Sequence, residues 1–108
     1  MKHILLFLAL SLPAQAIADG YVLGAGRWTC EDVIRVYEQG TPSEKGELFG
    51  WFMGFWSAAT FQRETGFVDI VESAGGNKIA EASVVECRKA PADTLLFRVT
   101  QSMIENTR

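Results

Sequence analysis

A chain of 108 residues, 48% of them hydrophobic, with a formal net charge of −3, has room for one small core and lacks the basic excess that nucleic acid or an anionic membrane surface would attract. Its single histidine, His3, lies at the extreme N-terminus, so the body of the chain offers no histidine base, no Ser-His or Cys-His nucleophile pair and no histidine metal ligand. No catalytic constellation stands out, and the sequence reads as a non-enzyme that uses neither cofactor nor metal.

The first residues have the form of an export signal. Met1-Lys2-His3 is a short cationic start, Ile4 to Leu12 an apolar run, Pro13 a break, and Ala16-Ile17-Ala18 the small-x-small pattern that signal peptidase reads. Cleavage is expected after Ala18, which divides the chain into a signal peptide over 1–18 and an exported domain over 19–108. Losing Lys2 leaves nine Lys and Arg against thirteen Asp and Glu, a net charge of −4.

Residues 19–27 carry three glycines, Gly20, Gly24 and Gly26, and little periodicity, as expected of a flexible lead-in. Gly24-Ala25-Gly26 is no phosphate loop, because the Lys and Ser/Thr of that motif are missing. Thr29 then has the chemistry of an N-cap, with Glu31 and Asp32 in the first turn, where carboxylates complement the helix dipole. Cys30, Val33, Ile34 and Tyr37 share one face and Gly40 supplies a stop, so the first helix is predicted over Cys30–Gln39. Capping accounts for Glu31 and Asp32, whose side chains diverge by about 100° on a helix, better than a catalytic pair does.

Thr41-Pro42-Ser43 is a short turn, and Ser43 with Glu44 and Glu47 can open the next helix. The stretch from Glu47 to Arg63 dominates the chain. It holds Phe49, Trp51, Phe52, Phe55, Trp56 and Phe61, six of the twelve aromatics, and Ser57 is the only polar side chain between Leu48 and Ala59. A helix apolar on every side must be covered by other helices, a second copy of the chain or a client. It is too short for the roughly 20 apolar residues of a membrane span. Gly46, Gly50, Gly54 and Ala58 recur every fourth residue and form a stripe without bulk, where another helix could approach closely. Each interior glycine costs about 1 kcal/mol of helix stability relative to alanine, so the segment depends on packing.

Glu44, Lys45 and Glu47 before this helix and Arg63 and Glu64 after it place its ends in water, and Gly66 ends the run. Phe67, Val68, Ile70 and Val71 make a brief apolar patch, helical or extended, before the Ser73-Ala74-Gly75-Gly76-Asn77 break. A third helix is predicted over 79–89, burying Ile79, Val84 and Cys87 or Val85. Pro91 suits the first turn of a fourth. Leu95, Leu96, Val99, Met103 and Ile104 form its apolar stripe, with Arg98, Gln101 and Glu105 outward, and it is expected to pack over the disulfide and the aromatic helix.

Cys30 and Cys87 are the only cysteines and are far from a Cys-x-x-Cys spacing. In an exported domain they most simply form one structural disulfide, the alternatives being two free thiols or an intermolecular bond. The fold expected is all-α, a small single-domain bundle of four or so helices stapled by one disulfide.

Two stretches carry a family resemblance. Trp28-Thr29-Cys30-Glu31-Asp32, and Glu86-Cys87-Arg88-Lys89-Ala90-Pro91 followed by an amphipathic C-terminal helix, resemble the HdeA/HdeB family of periplasmic acid-stress chaperones. The resemblance implies an HdeA-like fold, a Cys30–Cys87 pair, a periplasmic location and a homodimer that comes apart in strong acid to hold unfolding clients. Phe49, Trp51, Phe52, Phe55 and Trp56 would then be the client or dimer interface. The aromatic helix departs from that pattern. Gly50-Trp51-Phe52-Met53-Gly54-Phe55-Trp56-Ser57-Ala58 is similar to the Gly-aromatic-x-x-Gly element of periplasmic immunity proteins that neutralise type VI peptidoglycan amidases. Those tend to carry a cysteine just before the element, where this chain has Leu48 and Phe49. That second likeness implies one specific effector as partner.

Overall fold

The computed structural model describes residues 20–107, so the export signal read in residues 1–18 lies outside the described residues. A 3-10 turn over Gly24–Arg27 leads into four helices: α1 (Cys30–Gln39), α2 (Pro42–Thr60), α3 (Thr65–Lys89) and α4 (Leu96–Asn106). Among the described residues there is no strand, only an isolated antiparallel bridge between Thr29 and Leu95. The fold is all-α, closed by a disulfide between Cys30 and Cys87 whose Cα atoms stand 5.1 Å apart.

Local chemistry sets the starts of α1 and α2. The Thr29 hydroxyl accepts a bond from the Asp32 N–H at 3.2 Å, leaving Cys30 as the first helical residue. At α2 the cap is Thr41, two residues before the expected Ser43. Its hydroxyl accepts from the Glu44 N–H, and the Glu44 carboxylate accepts from the Thr41 N–H, with Pro42 at the first helical position. The reciprocal bonds satisfy two otherwise orphaned donors, and the fixed φ of proline suits that place.

Two expected boundaries shift. The patch Phe67 to Val71 is helical, and Gly66 lies inside α3 rather than ending α2. The break expected over Ser73 to Asn77 is present at Gly75, whose φ of 77° and ψ of 166° are non-helical and kink α3 into two helical segments. That backbone region is open almost only to glycine. Pro91 does not begin the last helix. Residues 90–95 run as a loop that hydrogen-bonds back to the start of α1: the Cys30 N–H donates to the Thr94 carbonyl (2.7 Å), the Glu31 N–H to Ala92 (3.0 Å) and the Leu96 N–H to Trp28 (2.9 Å). These bonds use donors that a helix N-terminus leaves unpaired, so α1 and α4 begin side by side.

The main core lies at this latched end. Cys30, Val33 and Val36 of α1, Leu48 and Phe52 of α2, Ala80, Val84 and Cys87 of α3, and Leu96 and Val99 of α4 pack together. Val85, the alternative inner residue, is instead exposed. Ser83 and Thr100 are buried here without penalty, because each hydroxyl donates to a carbonyl one turn back, Ile79 at 2.7 Å and Leu96 at 3.0 Å. The lead-in joins the core as well. Ala25 and Gly26 are buried, and a Cβ at Gly26 would clash with the Trp51 ring and the Val22 side chain, so only glycine admits that approach. The segment read as flexible is therefore ordered by an aromatic side chain that no local pattern could connect to it.

At the other end, Trp56 of α2 stacks on Phe67 of α3, with centroids 6.0 Å apart and planes 5° from parallel. Arg63, in the turn between the two helices, is half-buried rather than solvated. Its guanidinium donates to the Ile104 and Thr107 carbonyls at 2.7 and 2.9 Å and lies 4.1 Å from the centre of the Phe67 ring. It thereby caps the C-terminus of α4 from a distance in sequence of about forty residues. Helix α4 lies mainly against α3 and the 3-10 turn, and faces α2 across a cavity of about 270 Å³ lined by Phe55, Ala58 and Ile104.

Candidate protein-docking face

Helix α2 divides its aromatic side chains between inside and flank. Leu48, Phe52 and Trp56, spaced four apart, are the buried row. Phe49, Trp51 and Phe55 are half-buried on either side. Phe49 lies 6.2 Å from the Tyr37 ring and 6.5 Å, edge-on, from Phe52. Trp51 stacks on Phe55 at 4.7 Å and covers the 3-10 turn. The five aromatics expected at an interface thus lie on one helix but do not form one surface. Phe52, 1% exposed, and Trp56, 5% exposed, belong to the interior of the monomer.

The outward surface is made of different residues. Gly46, Gly50, Gly54 and Ala58 are exposed, and a Cβ built at any of the three glycines would have nothing within 4 Å. Among the described residues no helix approaches the three glycines closely, while Ala58 borders the cavity that faces α4. Met53 and Ser57 adjoin it, and Phe61 at the C-terminal end is 88% exposed. From Leu48 to Gln62 the chain has no ionisable side chain. An exposed helix face normally carries charge; here it offers small residues, a thioether and a phenyl ring, a surface that favours protein contact over chemistry.

Charged pairs link the helices elsewhere. Arg35 sits 3.7 Å from Asp32 and 4.0 Å from Glu44, tying α1 to α2, and Arg88 bonds Glu38 at 2.8 Å, tying α3 to α1. All these side chains are about half exposed, so each pair contributes only about 0–1 kcal/mol. Among the described residues, no three His, Cys, Asp or Glu side chains converge as a metal site, and no helix is long and apolar enough to cross a membrane.

The fold and this face define a small disulfide-stapled helical domain with an unpartnered, charge-free helix surface. Compared with known protein families, with characterised proteins and with solved structures, the chain gives no match.

The glycine stripe and the absence of charge were legible in the sequence, whereas the roles of Met53 and Phe61 as its exposed apolar groups were not. Arg63 was missed as a clamp, since an arginine beside a glutamate at a helix end looks like any solvated pair.

Proposed function

We propose that this protein is a periplasmic acid-stress chaperone of the HdeA-like kind, holding unfolding clients on the outer face of α2. One observation carries the reading: a helix face with no ionisable group from Leu48 to Gln62 that is exposed in the folded monomer. A holdase needs an apolar surface tolerant of many partners, and small residues flanked by Met53 and Phe61 supply one without a fixed polar pattern. At neutral pH a second copy would cover the same face.

Strong acid gives the means of uncovering it. Protonating all carboxylates of the exported domain moves its charge from −4 to +9, counted from thirteen Asp and Glu against nine Lys and Arg, and self-repulsion then opposes a dimer. With every carboxylate neutral, the Glu44–Arg35 and Glu38–Arg88 ties no longer hold. The disulfide and the Arg63 bonds to main-chain carbonyls involve no carboxylate, so these parts of the monomer's frame remain.

The test is light scattering from an aggregation-prone periplasmic protein acidified to about pH 2.5, where carboxylates are neutral, with lysozyme at equal mass as control and a repeat at pH 7. Suppression confined to acid, and lost in the Met53→Lys/Phe61→Lys variant, is the expected result. Lysine is chosen because it stays charged at that pH, and both sites are exposed, so the fold tolerates the change. Suppression at neither pH would reject the chaperone and turn attention to the alternative. The similarity of Gly50 to Ala58 to an immunity-protein element makes that alternative a binder and inhibitor of one secreted peptidoglycan amidase, measurable as a stoichiometric complex.

A further inference from the structure

Beneath the C-terminal half of α2, the indole N–H of Trp56 is buried with no acceptor among the described residues. An unpaired buried donor costs about 1–3 kcal/mol, and native folds seldom retain one without a reason. The ring is held in place by its parallel stack on Phe67.

Trp56 is also a shared wall of two adjoining cavities. The larger, about 340 Å³, is walled by Ile70, Val71, Ile79 and Met103, with the exposed Lys78 at its edge. The smaller, about 140 Å³, has Trp56, Val71 and Ile79 in common with it and extends between Met53 and the break in α3 at Gly75. An apolar cavity of roughly 150 Å³ accommodates benzene, and pockets for larger small molecules begin near 300 Å³. Lys78 makes no ion pair among the described residues.

We propose that this site binds a small amphiphilic carboxylate, such as a medium-chain fatty acid. Its apolar tail lies among Ile70, Val71, Ile79 and Met103, Lys78 offsets the charge, and a shift of the side chains that close over the Trp56 N–H lets a carboxylate oxygen accept it. The site is on the inner side of α2 and shares only the border residues Met53 and Ser57 with the outer face.

Octanoate is the probe, titrated into the oxidised ¹⁵N-labelled protein while the indole N–H resonances of Trp28, Trp51 and Trp56 are followed, with Trp56 assigned by its loss in Trp56→Phe. The Trp56 signal is expected to move downfield and saturate while the other two stay. Lys78→Gln should weaken octanoate about three- to fivefold, as for a partly exposed ion pair, without altering the response to 1-octanol. Ala82→Phe, which brings a ring over the larger cavity from an exposed position, should abolish saturation. A Trp56 signal indifferent to octanoate, or a linear drift of all three indoles, overturns the site. Equal affinities for octanol and octanoate, with Lys78→Gln silent, overturn its assignment to a carboxylate.

Discussion

The two ends of the bundle share the long helices α2 and α3 but are joined by different kinds of bond. At the Cys30–Cys87 end, a covalent link, main-chain bonds from Cys30, Glu31 and Leu96, and a core drawn from all four helices act on the same few residues. At the Trp56–Phe67 end, one arginine and one aromatic stack hold three helix segments around cavities, a buried N–H has no partner among the described residues, and α3 is interrupted. The first end is specified by redundancy, the second by single contacts. Local opening free energies should therefore differ, with the Trp56 end exchanging its amides first, because regions with few buried contacts open below the global unfolding free energy. A small domain can leave one end loosely packed when the other is cross-linked.

Removing the staple tests the strong end most severely. The Cys30→Ser/Cys87→Ser variant is expected to lose about 4 kcal/mol, the chain-entropy value for a loop of 57 residues, read as a fall in the urea midpoint by circular dichroism. If the main-chain latch between Trp28 and Leu96 were the dominant constraint, the midpoint would barely change.

Arg63→Gln tests the weak end. Losing two charge-assisted bonds to carbonyls and the contact with the Phe67 ring should cost about 3 kcal/mol, with amide exchange rising first in the last turn of α4. Arg63→Lys should recover little, because one ammonium cannot reproduce the fork that reaches both Ile104 and Thr107. Exchange rising equally at the two ends would erase the distinction between them.

Gly75→Ala is expected to cost about 1–3 kcal/mol through backbone strain alone, since a Cβ there meets nothing within 4 Å. The effect should be read in the N-terminal half of α3 and should leave the disulfide end unchanged. The smallest effect has the opposite sign. Gly50→Ala and Gly54→Ala, each in open space on α2, should raise stability by up to about 1 kcal/mol apiece in thermal melts. If these methyl groups also weaken self-association or client holding, the stripe serves close approach rather than folding.

The sequence by itself determined the elements whose causes are local. Thr29, the carboxylates after it and Gly40 bound α1, Gly75 lies within the predicted interruption, and the apolar spacing from Leu95 to Ile104 marks the inner side of α4. Two cysteines left a single intramolecular pairing to be made. Each of these rests on neighbours within a turn or two, where capping, periodicity and backbone freedom act.

Only the tertiary structure decided which side of α2 faces inward. A helix apolar all round has no preferred face of its own, so the choice of Leu48, Phe52 and Trp56 came from the shape of α1 and α3. The same holds for Ala25 and Gly26, ordered by the distant Trp51, and for Arg63, whose partners are carbonyls at the far end of the chain. Main-chain carbonyls have no residue identity for a sequence pattern to read, and close aromatic approach depends on how whole helices meet. The fold class was therefore written in local chemistry, while the exposed face of α2 and the Trp56 cavities arise from packing.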